Sequence, residues 1–388
     1  MNDHTDFTYS SDIINVVEEY DYDTQCEQYN RYFKHWRENK QCPFAFNFEM
    51  NKKESVYIEG RGFKVPSLAD AESEVIGHIM NIVGIAMLIW TFIDNILGKV
   101  IIQLLDRLGL NIHCSLLTTA IYGGDPILVV GALIMISAIK TVAPVIYLNI
   151  KLKMPKEVRF LNVMNHPGEL IRSIAWTIAI GTVTCLPLIY TSNTSQLYSY
   201  FSTLDADIAA WGQAEFIAYT IYDLFFLSFL TTLFFNGAVF SALRQFGDSF
   251  AIGITAMIAG LLAQDLKEIP SALFITIIAS AGVLRSGSIY TAFFVRVIYK
   301  MYILAIYVIE VGDTSNLELD RNLFMISAFV VSMIVVGLSQ ILINRRKCYS
   351  VYLSEVPQTK RIRFAVRAYP FPAVALLCIL AAVMKQVF

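Results

Sequence analysis

Nine apolar stretches, each closed off by polar residues, run along the chain at 75–97, 126–150, 170–190, 216–240, 249–263, 270–284, 289–309, 323–343 and 370–387. A helix of about twenty residues, rising 1.5 Å per residue, spans a hydrocarbon core of about 30 Å. The pattern therefore predicts an all-α polytopic membrane protein with about nine transmembrane helices. Two stretches, 249–263 and 270–284, are short and rich in Ala, Gly and Ser. Such helices persist where neighbours cover them, and the pairs Ala256/Gly260 and Ala259/Ala263 allow close backbone approach. Between the first two stretches, 98–110 sets Asp106 and Arg107 opposite Val100, Ile101, Leu104 and Leu105, which predicts an interfacial helix rather than a crossing.

Residues 1–74 are polar and divide from a transmembrane domain at 75–388. Ser11 is placed to cap a short helix with Ile13, Val16, Val17 and Tyr20 on one face. A second stripe, Cys26, Tyr29, Phe33 and Trp36, predicts another helix that stops before Pro43. The pair reads either as a layer beneath the membrane domain or as a docking surface for a cytosolic partner. The stretch 44–66 predicts no definite element, and no cleavable signal peptide is expected ahead of so long a polar segment.

Composition agrees with the membrane reading. Of 388 residues, 56% are hydrophobic and 16% charged, with a mean hydropathy of +0.54; a soluble chain carries roughly 25% charge. The net charge of -2 suggests no nucleic-acid partner, so membrane lipids are the first expected partner. Residues 1–74 carry 15 acidic against 8 basic residues. The six cysteines, Cys26, Cys42, Cys114, Cys185, Cys348 and Cys378, show no C-x-x-C spacing, and the five histidines are scattered. Neither a metal site nor a cofactor is expected. Walker, Rossmann, HExxH and G-x-S-x-G motifs and internal repeats are not evident.

Orientation is read from the basic residues of short loops. Lys151, Lys153, Lys156, Arg159 and Arg172 follow the second stretch; Arg345, Arg346, Lys347, Lys360, Arg361, Arg363 and Arg367 follow the eighth. Both groups predict cytoplasmic loops. The segment 191–215 has no Lys or Arg and 310–322 has only Arg321, so both are expected outside. A multi-pass protein of the plasma membrane with a cytoplasmic N-terminus and an external C-terminus satisfies all four, and puts the sequon at Asn193 outside. The run 360–367 has two readings, as inside-facing charge or as an attractor of anionic headgroups.

Ionisable groups inside apolar stretches are costly and tend to mark function. Here they are Asp94, Lys140, Asp223, Arg296 and Lys300. Asp94 and Lys140 are expected to snorkel from span ends or kinks, with Lys140 one turn before Pro144, whose missing N–H frees a carbonyl. Asp223, Arg296 and Lys300 form a candidate intramembrane polar site.

One region carries a resemblance. From Thr231 to Lys300 the chain reads TTLFFNGAVFSALRQFG, then an apolar run ending GLLAQD, then AGVLRSGSIYTAFFVRVIYK, with turn or close-packing residues at Gly237, Gly247, Gly260, Gly282 and Gly287. This order resembles the core of the CPBP family, the type II CAAX prenyl proteases and bacteriocin-processing enzymes, which are glutamate-dependent intramembrane proteases; the CPBP-like core would cover 216–309. The family's paired glutamates and following arginine fall on Thr231, Thr232 and Asn236. Its Phe and His four residues on fall on Ala259 and Ala263, and its later His and Asn on Arg296 and Lys300. The catalytic groups are thus replaced, and family packing, which sets 296 level with 231, implies that Asp223 pairs with Lys300 and that Arg296 faces Thr231, Thr232 and Asn236. A general base needs a tunable pKa, and a threonine nucleophile needs a base within reach, so the resemblance implies a divergent, non-catalytic member.

Three function classes follow. The leading one is a scaffold, regulator or immunity-type partner that binds a peptide or another membrane protein without cutting it. The second is an intramembrane CAAX-type endopeptidase working through non-standard residues, and the third a transporter using Asp223, Arg296 and Lys300.

Overall fold

The computed structural model describes residues 35–36, 56–58, 62–64, 68–114, 120–159, 167–189, 205–206, 211–265, 268–311, 317–342 and 358–387. Among the described residues all nine apolar stretches fall on helices, and the protein is an all-α polytopic membrane protein with short strands at its margins. Six helices among the described residues are long and apolar enough to cross a membrane, seven if one bent pair counts as a single span. The expected Ser11 helix, the stretch 44–55 and the sequon at Asn193 lie outside the described residues, as does most of the stripe that ends at Trp36.

The strands β1 (Val56–Ile58) and β2 (Gly62–Lys64) form an antiparallel pair. Helix α1 (Leu68–Phe92) does not end near residue 97. It passes through a π-helical Ile93–Leu97 into α2 (Gly98–Leu105) and a final π turn, Asp106–Leu110, because Gly98 keeps helical angles (φ -59, ψ -45). Phe92, Ile96, Val100, Leu104 and Leu108 are all exposed at the four-residue spacing of one helix face. The expected separate interfacial helix at 98–110 is thus corrected: it is the continuation of the first rod, with the same exposed apolar stripe. Left-handed Gly109 and Asn111 stop it.

Strands β3 (His113–Cys114) and β4 (Ala120–Tyr122) pair antiparallel beyond that end, and β4 takes β5 (Asp205–Ala206) in parallel. Helix α3 (Pro126–Leu152) begins under the cap of Asp125, whose carboxylate accepts the Ile127 N–H at 3.0 Å, with Pro126 in the first turn. It packs along α1. Near its far end Trp36 is buried, and its indole Nε1 donates to the Leu152 carbonyl at 3.0 Å. Trp36 shares a core with Met154 and with Val158 of α4 (Lys156–Arg159), so this part of the polar N-terminal segment lies against the membrane domain.

Helix α5 (Pro167–Ile189) precedes a long rod, Gln213–Phe246. The rod contains α6 (Gln213–Ile221), a π-helical Tyr222–Leu227, α7 (Ser228–Thr232), a π-helical Leu233–Phe240, α8 (Ser241–Leu243) and a 3-10 turn, Arg244–Phe246. At Gly247 the backbone takes φ 109 and ψ 146, a region essentially restricted to glycine, and the chain reverses into α9 (Asp248–Ala263). Helix α10 (Ile269–Ser286) returns beside it, and a Cβ at Gly260 would make only ordinary contact, 3.6 Å from Ile269 Cγ2.

The depth of this hairpin matters. At its tip the Gln264 amide oxygen accepts a hydrogen bond from Asn95 Nδ2 at 2.9 Å, while the α1–α2 rod continues about 22 Å beyond Asn95 to Leu110. The hairpin therefore turns well short of that rod's end. Left-handed Gly287 leads into α11 (Ile289–Val311). Gly282 fits tightly there: a Cβ would lie 2.8 Å from Thr291 Cγ2 and 2.9 Å from Ser173 Oγ of α5. Helix α12 (Leu317–Leu342) packs on α5 and exposes Leu323, Ile326, Val330, Val331, Ile334 and Ile341.

The basic run expected as loop is α13 (Gln358–Arg367), which meets α14 (Phe371–Val387) at 74°; Pro370, which cannot continue the ladder of hydrogen bonds, lies between them. α14 packs along α1, where Gly84 faces Pro370 and Thr91 Oγ1 contacts Cys378 Sγ at 3.7 Å.

Candidate functional site

The rod Gln213–Phe246 and α11 face each other and carry the central polar groups. Asp223 lies in the first π-helical turn and Asn236 in the second. Such turns insert a residue into the helical repeat and re-aim the side chains around them. Lys300 Nζ donates to the Asp223 carboxylate and, at 3.0 Å, to the Asp223 carbonyl oxygen. One turn earlier on α11, the Arg296 guanidinium donates to Asn236 Oδ1 at 3.0 Å and stands 5.4 Å from the Phe235 ring centre. Asn236 Nδ2 in turn donates to Ser280 Oγ of α10 at 3.0 Å. Asp223, Asn236, Arg296 and Lys300 are all buried.

The pair expected between Asp223 and Lys300 thus forms, and Arg296 reaches Asn236. Thr231 takes no part: its hydroxyl donates to the Leu227 and Ser228 carbonyls of its own helix at 2.8 and 3.1 Å. The hydroxyls of Ser228 and Thr232 are buried with no hydrogen-bond partner among the described residues. Ala259 and Ala263, on α9, are buried in the apolar core. Thr231, Thr232, Ala259, Ala263, Asn236, Arg296 and Lys300 thus supply hydroxyls, methyls, an amide and two engaged cations.

A second pair lies deeper in the same bundle. Lys140 Nζ donates to Asp94 Oδ1 at 2.9 Å, with side-chain exposures of 1% and 2%, and stands 5.1 Å from the Trp90 ring centre. The expectation that these two snorkel is corrected. A first span placed at 75–97 sets Asp94 beside an end; a rod running to Leu110 sets it about 24 Å inside, level with Lys140 on the antiparallel α3. Two further contacts went unread in the sequence. Asn95–Gln264 joins the hairpin tip to α1, and Arg244 Nε donates to Asp248 Oδ1 at 2.8 Å across the Gly247 reversal, both side chains 1% exposed. The i,i+4 spacing of Arg244 and Asp248 was the available signal for the second; nothing local marks the first.

Fold and site together define a class: a helical membrane protein whose interior is cross-linked by buried charge pairs. No family model, curated protein or solved structure matches the chain.

Proposed function

We propose that the chain is a divergent, non-catalytic relative of the CPBP intramembrane proteases that acts as a scaffold, regulator or immunity-type partner for a peptide or another membrane protein. One observation carries this reading: the cations at the family's His and Asn positions are engaged inside the protein, Arg296 with Asn236 and Lys300 with Asp223. A base that activates water must be free to exchange protons near working pH; a guanidinium is not such a group, and here the ammonium is bound to a carboxylate. The basic residues Lys151, Lys153, Lys156, Lys360, Arg363 and Arg367 support a plasma-membrane orientation with the N-terminus in the cytoplasm.

The expected outcome with purified protein in lipid nanodiscs is no cleavage of prenylated or leader peptides, together with retention of a specific membrane protein or peptide after cross-linking in native membranes. Turnover that disappears in Thr231→Ala or Thr232→Ala would return the endopeptidase reading. Solute flux into liposomes that disappears in Asp223→Asn would return the transporter reading.

A further inference from the structure

Helix α13 has three kinds of surface, each meeting a different environment. Arg361 and Ala365 point inward: Arg361 is 1% exposed, and its guanidinium donates to the Phe246 carbonyl at 3.0 Å, at the end of the Gln213–Phe246 rod. At 100° per residue, Ile362 and Val366 fall within about 40° of one another on a second flank, and they are 41% and 38% exposed, with Tyr369, 75% exposed, just past the helix end. Lys360, Arg363 and Arg367 fall within about 60° on a third flank, and all three are exposed. The apolar and basic flanks are centred about 110° apart, so neither can be turned toward the other's environment without losing its own.

That partition fits a helix lying in the plane of a membrane–water interface, one flank on protein, one in acyl chains and one among headgroups. The 74° angle to α14 supports it, since α14 runs along the spanning α1. The charge of the surrounding surface supports it independently. Lys151, Lys153 and Lys156, at the end of α3 that docks Trp36, are also exposed. By contrast, the opposite end of α3 begins at the acidic cap Asp125.

We propose that the basic flank of α13, Lys360, Arg363 and Arg367, is a binding surface for anionic phospholipid headgroups. Phosphate oxygens accept hydrogen bonds from ammonium and guanidinium donors, and cations near a membrane surface are attracted by anionic lipid over a Debye length. Ile362 and Val366, with Tyr369 just past the helix end, hold the helix at the depth where those donors meet phosphates, while the inward Arg361 fixes its rotation.

The test uses the full chain in bilayers of phosphatidylcholine with a minor fraction of phosphatidylglycerol, reading the partition of each spin-labelled lipid at the protein surface. The expected result is a preference for phosphatidylglycerol that salt weakens. It should fall roughly twofold or more in the variant Lys360→Gln, Arg363→Gln, Arg367→Gln, and be retained in Lys360→Arg, Arg363→Lys, Arg367→Lys. Should the triple Gln variant fail to fold, Lys360→Gln and Arg367→Gln are read singly, with a partial fall expected in each. Equal partition in the unaltered protein, or a preference that the Gln substitutions leave intact, overturns the proposal. If those substitutions instead speed proteolysis within residues 1–67 while lipid preference persists, the flank belongs to the chain's own acidic segment and the proposal also fails.

Discussion

Asp223 and Lys300 show how a single contact constrains the interior. Both side chains are nearly inaccessible, and a charge left alone there costs more than the pair contributes, because each was stripped of water to enter the bundle. Asp223→Asn should therefore destabilise the protein by about 3 kcal/mol, measured as a loss of thermal stability in detergent. Lys300→Met added to it should recover at least half of that loss. Additive losses in the double-mutant cycle would mean that the two groups do not couple. The pair was legible in the sequence because both residues fall within apolar stretches, and setting 296 level with 231, as the family resemblance implies, brings their depths within reach by helical rise. Asp94 and Lys140 were equally visible as charges but not as partners, since the rod's true length was hidden: residues 98–110 mix Asp106 and Arg107 into an apolar face, and composition alone cannot distinguish a long rod from a surface helix. Thr231 illustrates a different limit. Its sequence position suggests a place in a cavity, whereas its hydroxyl is spent on carbonyls of its own helix, a choice fixed by rotamer and not by residue type.

Among the elements, the α9–α10 hairpin behaves least like a pair of ordinary crossings. α9 has 16 residues, about 24 Å of helix, and its tip is tied to Asn95 partway along the first rod. A tip carrying buried Gln264, Asp265 and Glu268 is tolerated at that depth only where protein surrounds it. We predict a re-entrant hairpin. Asp265→Cys should stay unlabelled by a charged, membrane-impermeant thiol reagent applied from either side, in a background lacking the native cysteines. Rapid labelling from the side opposite Lys153 would make α9 and α10 two full spans. The sequence announced the hairpin's shortness and its small residues, and Gly247 and Gly287 marked its boundaries. It did not announce the π-helical turns at Tyr222–Leu227 and Leu233–Phe240, because an inserted residue leaves no composition signal; only the packing of Asp223 and Asn236 against α11 reveals why the repeat is broken there.

At the scale of the whole molecule, elements distant in sequence close the bundle. α14 fills the side of α1 at Gly84, where an added Cβ would come within 3.0 Å of Pro370 Cγ. A chain ending after Arg367 would leave that groove without its apolar cover of Phe371, Val374 and Cys378, all buried here. Such a truncation is expected to insert into membranes yet show a shortened half-life in pulse-chase, while Gly84→Leu in the full chain should lower thermal stability by about 1–3 kcal/mol through overpacking. The contact also sets a timetable. Thr91 and Cys378 are separated by 287 residues, and at a synthesis rate of 5–20 residues per second the first helix is in place about 15 to 60 s before its neighbour exists. Throughout that interval the Gly84 flank of a nascent α1 lacks its cover of Phe371, Val374 and Cys378, so shielding of that flank falls to the insertion machinery or to a membrane chaperone.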